Sequence, residues 1–310
     1  MLAAEDGLPR RMLTTDAIER LEARNWRGNV RELRNVVYRL ALMARGKAVM
    51  LRDAELITED FYGMQAHDDA AVYVRGLGPG MVLTERDEVG SWEGHLPRLL
   101  LFFALERPFV TRSEICQAFW PDLNSEQAVN VFHVTKRRLH KALETLGMDV
   151  LIHDGGYYRI NPKLRIYYDM TDFVALLMQG RLAETPQGRL QAYQRVIEMH
   201  QRPYLQGHTE SWITARRQDY QAGYIEALCG VAEVRLQEER YEHALTLFQR
   251  AAQESPLRQD LHRRVMSLFA ELGRRSEAAS HYNLMRAELE KHDVEIEPET
   301  EQLYNQLMNA

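Results

Sequence analysis

At 310 residues, with 45% hydrophobic and 27% charged positions, the chain is long enough for two or three domains, and its globular composition excludes a disordered class. Its net charge of −6 excludes a protein that coats polyanions over its whole surface, so any nucleic-acid contact must come from a local excess of Lys and Arg. The longest apolar run, near 99–105, is far too short to span a bilayer and 1–11 lacks a signal-peptide core; a cytoplasmic protein without membrane contact is expected.

The first helical piece covers about 15–57. Thr15 opens a helix with Ile18 and Leu21 on one face, and Asn25-Trp-Arg-Gly breaks it. Asn29 then caps a second helix, with Glu32 at the capping-box position and Leu33, Val36, Val37, Leu40 and Met43 on its apolar side, until Gly46 ends it. The run Trp-Arg-Gly-Asn-Val-Arg-Glu-Leu at 26–33 is similar to the signature in the helical lid of the AAA+ ATPases that act on sigma-54 polymerase. The resemblance implies a nucleotide sensor at Arg31, although Arg27 replaces the family's proline. No Gly-x-x-x-x-Gly-Lys-Ser/Thr loop occurs in the 310 residues to cradle a phosphate, so 1–60 is expected to be a lid-like remnant or fragment with a structural role and no bound cofactor.

Residues 61–71, acidic at His67-Asp-Asp, suit a linker. Beyond them, Val72-Tyr-Val and Met81-Val-Leu flank Gly76-Leu-Gly-Pro-Gly and predict a small sheet; with no Lys or helix start after it, the glycine run carries little weight as a phosphate loop. A packing helix follows over 96–106.

The stretch 110–158 holds the candidate site. Thr111 and Glu114 form a capping box that predicts a helix from Arg112 to Trp120, where Pro121 and Asp122 stop it. Asn124 or Ser125 caps a second helix, with Gln127 placed to reach back, running to about Leu143. Its buried stripe should be Ala128, Phe132, Thr135, Leu139, Ala142 and Leu143. Asn130, His133, Val134, Arg137 and Lys141 lie on another face, flanked by Lys136, Arg138 and His140: groups that read base edges and hold phosphates. A solvated basic face would look the same in isolation. The capped helix, short stop, basic helix and Asp154-Gly-Gly-Tyr hairpin in succession instead make a winged helix-turn-helix, whose second helix enters the major groove.

Phe-Trp-Pro-Asp at 119–122, Asn-Val-Phe-His-Val-Thr at 130–135, Arg-Leu-His-Lys-Ala-Leu at 138–143 and Gly-Gly-Tyr-Tyr-Arg at 155–159 closely resemble the DNA-binding domain of the SARP family (Streptomyces antibiotic regulatory protein type). That resemblance implies a winged helix of the response-regulator output kind. His140 stands where the family has arginine. The implied approach of the wing to the minor groove or backbone adds His153 and Tyr157 as candidates, whose other role would be packing or turn chemistry.

From about 174 onward the period is helical. Leu236 and Ala270, Ala244 and Ala278, and Phe248 and Tyr282 each lie 34 residues apart, the tetratricopeptide (TPR) spacing, with a partial unit at 192–197 off that register. In such arrays Tyr193, Trp212, Tyr224, Tyr241 and Phe248 should be core, since stacked repeats bury their aromatic faces. Pro203-Tyr-Leu, Ser211-Trp, Ser-Pro-Leu-Arg-Gln-Asp-Leu at 255–261 and Glu-Pro-Glu-Thr-Glu-Gln-Leu-Tyr at 297–304 resemble the bacterial transcriptional activation domain that follows the winged helix in SARP proteins.

The expected fold is mainly α with a small β component: a helical lid fragment (1–60), a linker (61–71), a winged helix-turn-helix (72–172) and a TPR-like α-solenoid (173–310). Cys116 and Cys229 are far apart in predicted helices and read as small core residues. No HExxH, Cys-x-x-Cys or Gly-x-Ser-x-Gly spacing occurs, so no catalytic or metal site is expected. The resulting expectation is a regulator, by resemblance an activator, that binds double-stranded promoter DNA and contacts a second protomer or RNA polymerase; a TPR interaction scaffold without specific DNA binding is the alternative.

Overall fold

A computed structural model describes residues 12–22, 48–49, 70–84, 88–90 and 92–309. The chain divides into two compact units, Met1–Ala70 and Ala71–Ala310. In the first, strands β1 (Met12–Leu13) and β2 (Ala48–Val49) pair in parallel, and helix α1 spans Thr15–Glu22. Thr15 begins that helix as expected, but Ala17 is its buried residue and Ile18 is 41% exposed, one position away from the inward side. The expected second helix, Arg31 and most of the 61–71 linker lie outside the described residues.

The second unit starts with the antiparallel strands β3 (Val72–Arg75) and β4 (Met81–Thr84), joined by the glycine run. Gly78 and Gly80 take φ of 97° and 77°, values that suit glycine. Helices α2 (Leu96–Leu105), α3 (Arg112–Phe119) and α4 (Ser125–Ala142) follow, then the hairpin β5 (Leu151–Asp154) and β6 (Tyr157–Ile160). Strand β7 (Ile166–Tyr168) returns parallel to β3, giving the order β4-β3-β7. Helix α5 (Asp169–Leu182) begins at the next residue and runs through the expected 172/173 boundary.

Seven helices complete the unit: α5, α6 (Pro186–Met199), α7 (Ser211–Gln237), α8 (Tyr241–Glu254), α9 (Gln259–Glu271), α10 (Arg275–Lys291) and α11 (Pro298–Asn309). Successive helices pack on one another as an array. The 34-residue register is physical: Ala244 and Ala278 are buried at the same place in α8 and α10, with Phe248 and Tyr282 buried one turn on. Of the five aromatics expected in the core, Tyr193, Trp212, Tyr224 and Phe248 are buried. Tyr241 is exposed, because it is the first residue of α8 and precedes the packed turn. Tyr193 enters where helices lack side chains. A Cβ at Gly180 or Gly230 would lie 2.2 or 2.3 Å from its ring, so the two glycines flank it.

Helix α2 is apolar on every side, with Leu99 to Ala104 all buried, which marks a central helix. Its Phe103 meets Phe119 of α3 at 5.3 Å and Trp212 of α7 at 5.1 Å, both edge-on, while Phe102 meets Tyr204 at 6.5 Å. One hydrophobic core therefore runs continuously from the sheet through α2 into the array.

Polar groups close the same seam. Glu106, at the end of α2, is buried and accepts hydrogen bonds from Tyr168 and Tyr220, and Arg216 pairs with it at 2.9 Å. Burial drives both tyrosine hydroxyls well above their ordinary pKa, so they remain protonated donors. The amides of Gly76 and Leu77 donate to Asp169 at 2.6 and 3.1 Å. Those two amides of the glycine run are thus spent on an internal carboxylate, and burial raises the Asp169 pKa to about 6.

Candidate nucleic-acid interface

Local chemistry sets the helix pair. The Thr111 hydroxyl accepts the Glu114 amide at 3.2 Å while the Glu114 carboxylate accepts the Thr111 amide at 2.7 Å, the reciprocal bonds of a capping box. These bonds hold the Glu114 carboxyl below its ordinary pKa. Asn124 caps α4 by accepting the Gln127 amide at 2.9 Å. Ala128, Phe132, Thr135, Leu139 and Leu143 are buried as the spacing predicts, and Ala142 is half-buried. Phe132 packs edge-on against Tyr158 of the hairpin at 4.9 Å, which fixes helix against wing.

On the other face of α4, Asn130, His133, Val134, Arg137, Arg138 and Lys141 are exposed and Lys136 is half-buried. Asn130, His133 or Val134, Arg137 and Lys141 follow three- and four-residue steps, a row extending over about 16 Å at about 1.5 Å per residue. Among the described residues Asn130, His133 and Arg137 have no hydrogen-bond or ion-pair partner. Arg138 and Lys141 differ: their charged ends both reach Glu93, at 3.3 and 2.6 Å. Lys141 above all holds the Glu93 carboxyl below its ordinary pKa, and Glu93 raises that of Lys141. Nothing in the sequence singled out Glu93, a lone acid in a turn-rich stretch 45 and 48 residues ahead of its partners.

His140 is structural. Its Nε2 accepts the Leu151 amide at 3.3 Å and its Nδ1 meets Asp149 at 2.9 Å, and burial lowers its pKa, so the neutral ring ties α4 to β5.

The wing turn is Asp154-Gly155-Gly156-Tyr157, with φ of 57° and 90° at the two glycines, both positive as a type I′ turn requires. His153 stands opposite Tyr158, their rings 4.8 Å apart, on the side facing α4, where Lys136 lies 5.5 Å from the Tyr158 ring. Strand alternation turns Tyr157 to the other side, where it is 46% exposed and meets Phe109, 63% exposed, at 6.4 Å. The structure therefore gathers His153 and Lys136 with the helix and leaves Tyr157 apart, beside a Phe109 that sequence reading passed over. Among the described residues, no three His, Cys, Asp or Glu side chains are grouped to hold a metal, and no helix is long and apolar enough to cross a membrane.

Comparison with known proteins bears on this arrangement. Residues 168–308 match the bacterial transcriptional activator domain, and residues 1–69 match an AAA+ ATPase lid domain. Over 42 residues the chain is 52% identical to the DNA-binding transcriptional regulator NtrC of Bradyrhizobium sp. (strain RP501 Parasponia), spanning 14% of this chain and 9% of that protein. The solved structure of Mycobacterium tuberculosis EmbR in complex with a low affinity phosphopeptide aligns with TM-score 0.62 at 18% identity, covering 78% of this chain and 66% of that one. The likeness to that structure is one of fold: mainly helical, with a winged helix followed by helical repeats. These matches support a transcriptional regulator. They do not point to an enzyme.

Proposed function

We propose that the chain is a sequence-specific DNA-binding regulator, an activator, in which 72–172 binds a promoter element and 173–310 contacts a second protomer or RNA polymerase, with 1–60 an accessory lid-like fragment joined through 61–71. The observation that carries this reading is the α4 surface: Asn130, His133 and Arg137 stand exposed in one row on a capped helix beside a glycine hairpin. Arg137 and Asn130 have the donors and acceptors for bidentate base contacts, while Lys136, Arg138, Lys141 and His153 supply the positive charge that holds phosphates in register. Tyr157 belongs to the wing's outer side and would touch DNA only at its tip. The match of 168–308 to an activator domain supports activation over repression.

Selection of bound sequences from a random duplex pool, followed by mobility-shift titration at two salt concentrations, tests the reading. The folded chain should enrich a defined motif, and its affinity should fall along a linear log–log salt slope. Absence of any duplex complex at either salt would leave an interaction scaffold as the function.

A further inference from the structure

Arg138 and Lys141 lie three residues apart on α4, and their charged ends converge on the two oxygens of one carboxylate: Arg138 Nε on Glu93 Oε2 at 3.3 Å, Lys141 Nζ on Glu93 Oε1 at 2.6 Å. A DNA phosphodiester presents the same thing, two anionic oxygens on one centre. We propose that Arg138 and Lys141 form a clamp for a single backbone phosphodiester, and that Glu93 occupies this clamp in the free protein and must be displaced by DNA. The inference rests on the DNA-binding reading of α4 and assigns a ligand class to two of its residues.

Three features support it. The pair belongs to the same helix surface as the exposed Asn130 and Arg137, one turn from Arg137, so a duplex docked on that row brings its backbone to the clamp. Glu93 approaches from the turn ahead of α2, outside α4, and is not part of an i,i+4 pair that any solvated helix would carry. All three side chains are about half-exposed or more, so the exchange of carboxylate for phosphate needs no unfolding. An exposed ion pair is weak and gives way to a polyanion, yet it costs that polyanion the charge of one competitor. The consequence is a tax on sequence-independent attachment in a protein whose net charge of −6 already disfavours it.

The test uses the full chain and a labelled random-sequence duplex, titrated by fluorescence anisotropy across a salt series. Variants are Glu93→Gln, the double variant Arg138→Ala/Lys141→Ala, and the triple combination, each checked for unchanged circular dichroism and melting. Glu93→Gln should bind the duplex several-fold more tightly at low salt, with a log–log salt slope steeper by about 0.9, the increment for one further neutralised phosphate. That gain should vanish when Glu93→Gln is placed on the double variant. An unchanged slope in Glu93→Gln, or a gain that persists without Arg138 and Lys141, overturns the clamp while leaving DNA binding intact. Failure of the unaltered chain to bind duplex at any salt overturns both readings together.

Discussion

Arg137 and Gly230 illustrate how much rests on single positions. Arg137→Ala removes an exposed guanidinium that packs into no core, so melting should be unchanged. Affinity for a selected promoter site should fall by the equivalent of about 1–3 kcal/mol while affinity for random duplex falls far less. Titration of both duplexes checks this, and equal losses would demote Arg137 to a phosphate contact. Gly230→Ala tests the opposite kind of residue. Its new Cβ would lie 2.3 Å from the Tyr193 ring, wedged on its other side by Gly180, so the array should lose about 1–3 kcal/mol to overpacking in urea unfolding, with no direct effect on α4. Sequence periodicity marked Tyr193 as core, but the glycines around it are invisible to periodicity, because a missing side chain leaves no pattern.

Among elements, the seam between α2 and the array makes the sharpest claim. Glu106→Ala leaves Arg216 and the Tyr168 and Tyr220 hydroxyls without their acceptor. The cost should fall toward the lower end of roughly 3–5 kcal/mol, since Arg216 remains 38% exposed. Chemical unfolding followed by tryptophan fluorescence and far-ultraviolet dichroism should separate into two transitions in this variant and coincide in the parent. What the sequence disclosed and what it withheld divide along this same line. The caps at Thr111 and Asn124, the buried stripe of α4, the Gly155-Gly156 turn and the 34-residue register were all legible, because each depends on residues close in the chain or on a fixed period. Glu106 with Tyr220, Asp169 with Gly76, and Glu93 with Lys141 were not: they join residues 114, 93 and 48 positions apart, and no local spacing encodes such meetings. His140 stood in the cationic run of α4 yet serves as a neutral strut, since burial, which decides its charge, is set by the hairpin it meets. The lid signature around Arg31 was readable as a motif but falls outside the described residues.

For the molecule as a whole, buried histidines set the response to acid. His281 hydrogen-bonds to His262 at 2.9 Å, and burial, then the neighbouring ring, push its pKa down to about 4. A histidine lowered in the folded state favours folding fully above its ordinary value of 6.5, and that contribution drains away as pH falls from 6.5 toward 4. His140, His200, His208 and His262 are lowered too, each chiefly by burial, and act in the same direction. Asp169, raised to about 6, runs against them by relieving a buried charge as pH drops, but it is one group against five. Urea midpoints should therefore be lower at pH 5 than at pH 7, and His281→Gln should flatten the difference; a midpoint that rises on acidification would contradict this. Helix α2 carries one last consequence, for engineering. Because Leu99 to Ala104 are enclosed partly by Trp212 and Tyr204, an operator-binding half severed near residue 168 would bare a greasy flank and clump in solution. Swapping activator halves between such regulators should succeed only when the incoming half brings a ring to meet Phe103, so the modules that look interchangeable on paper are mortised together.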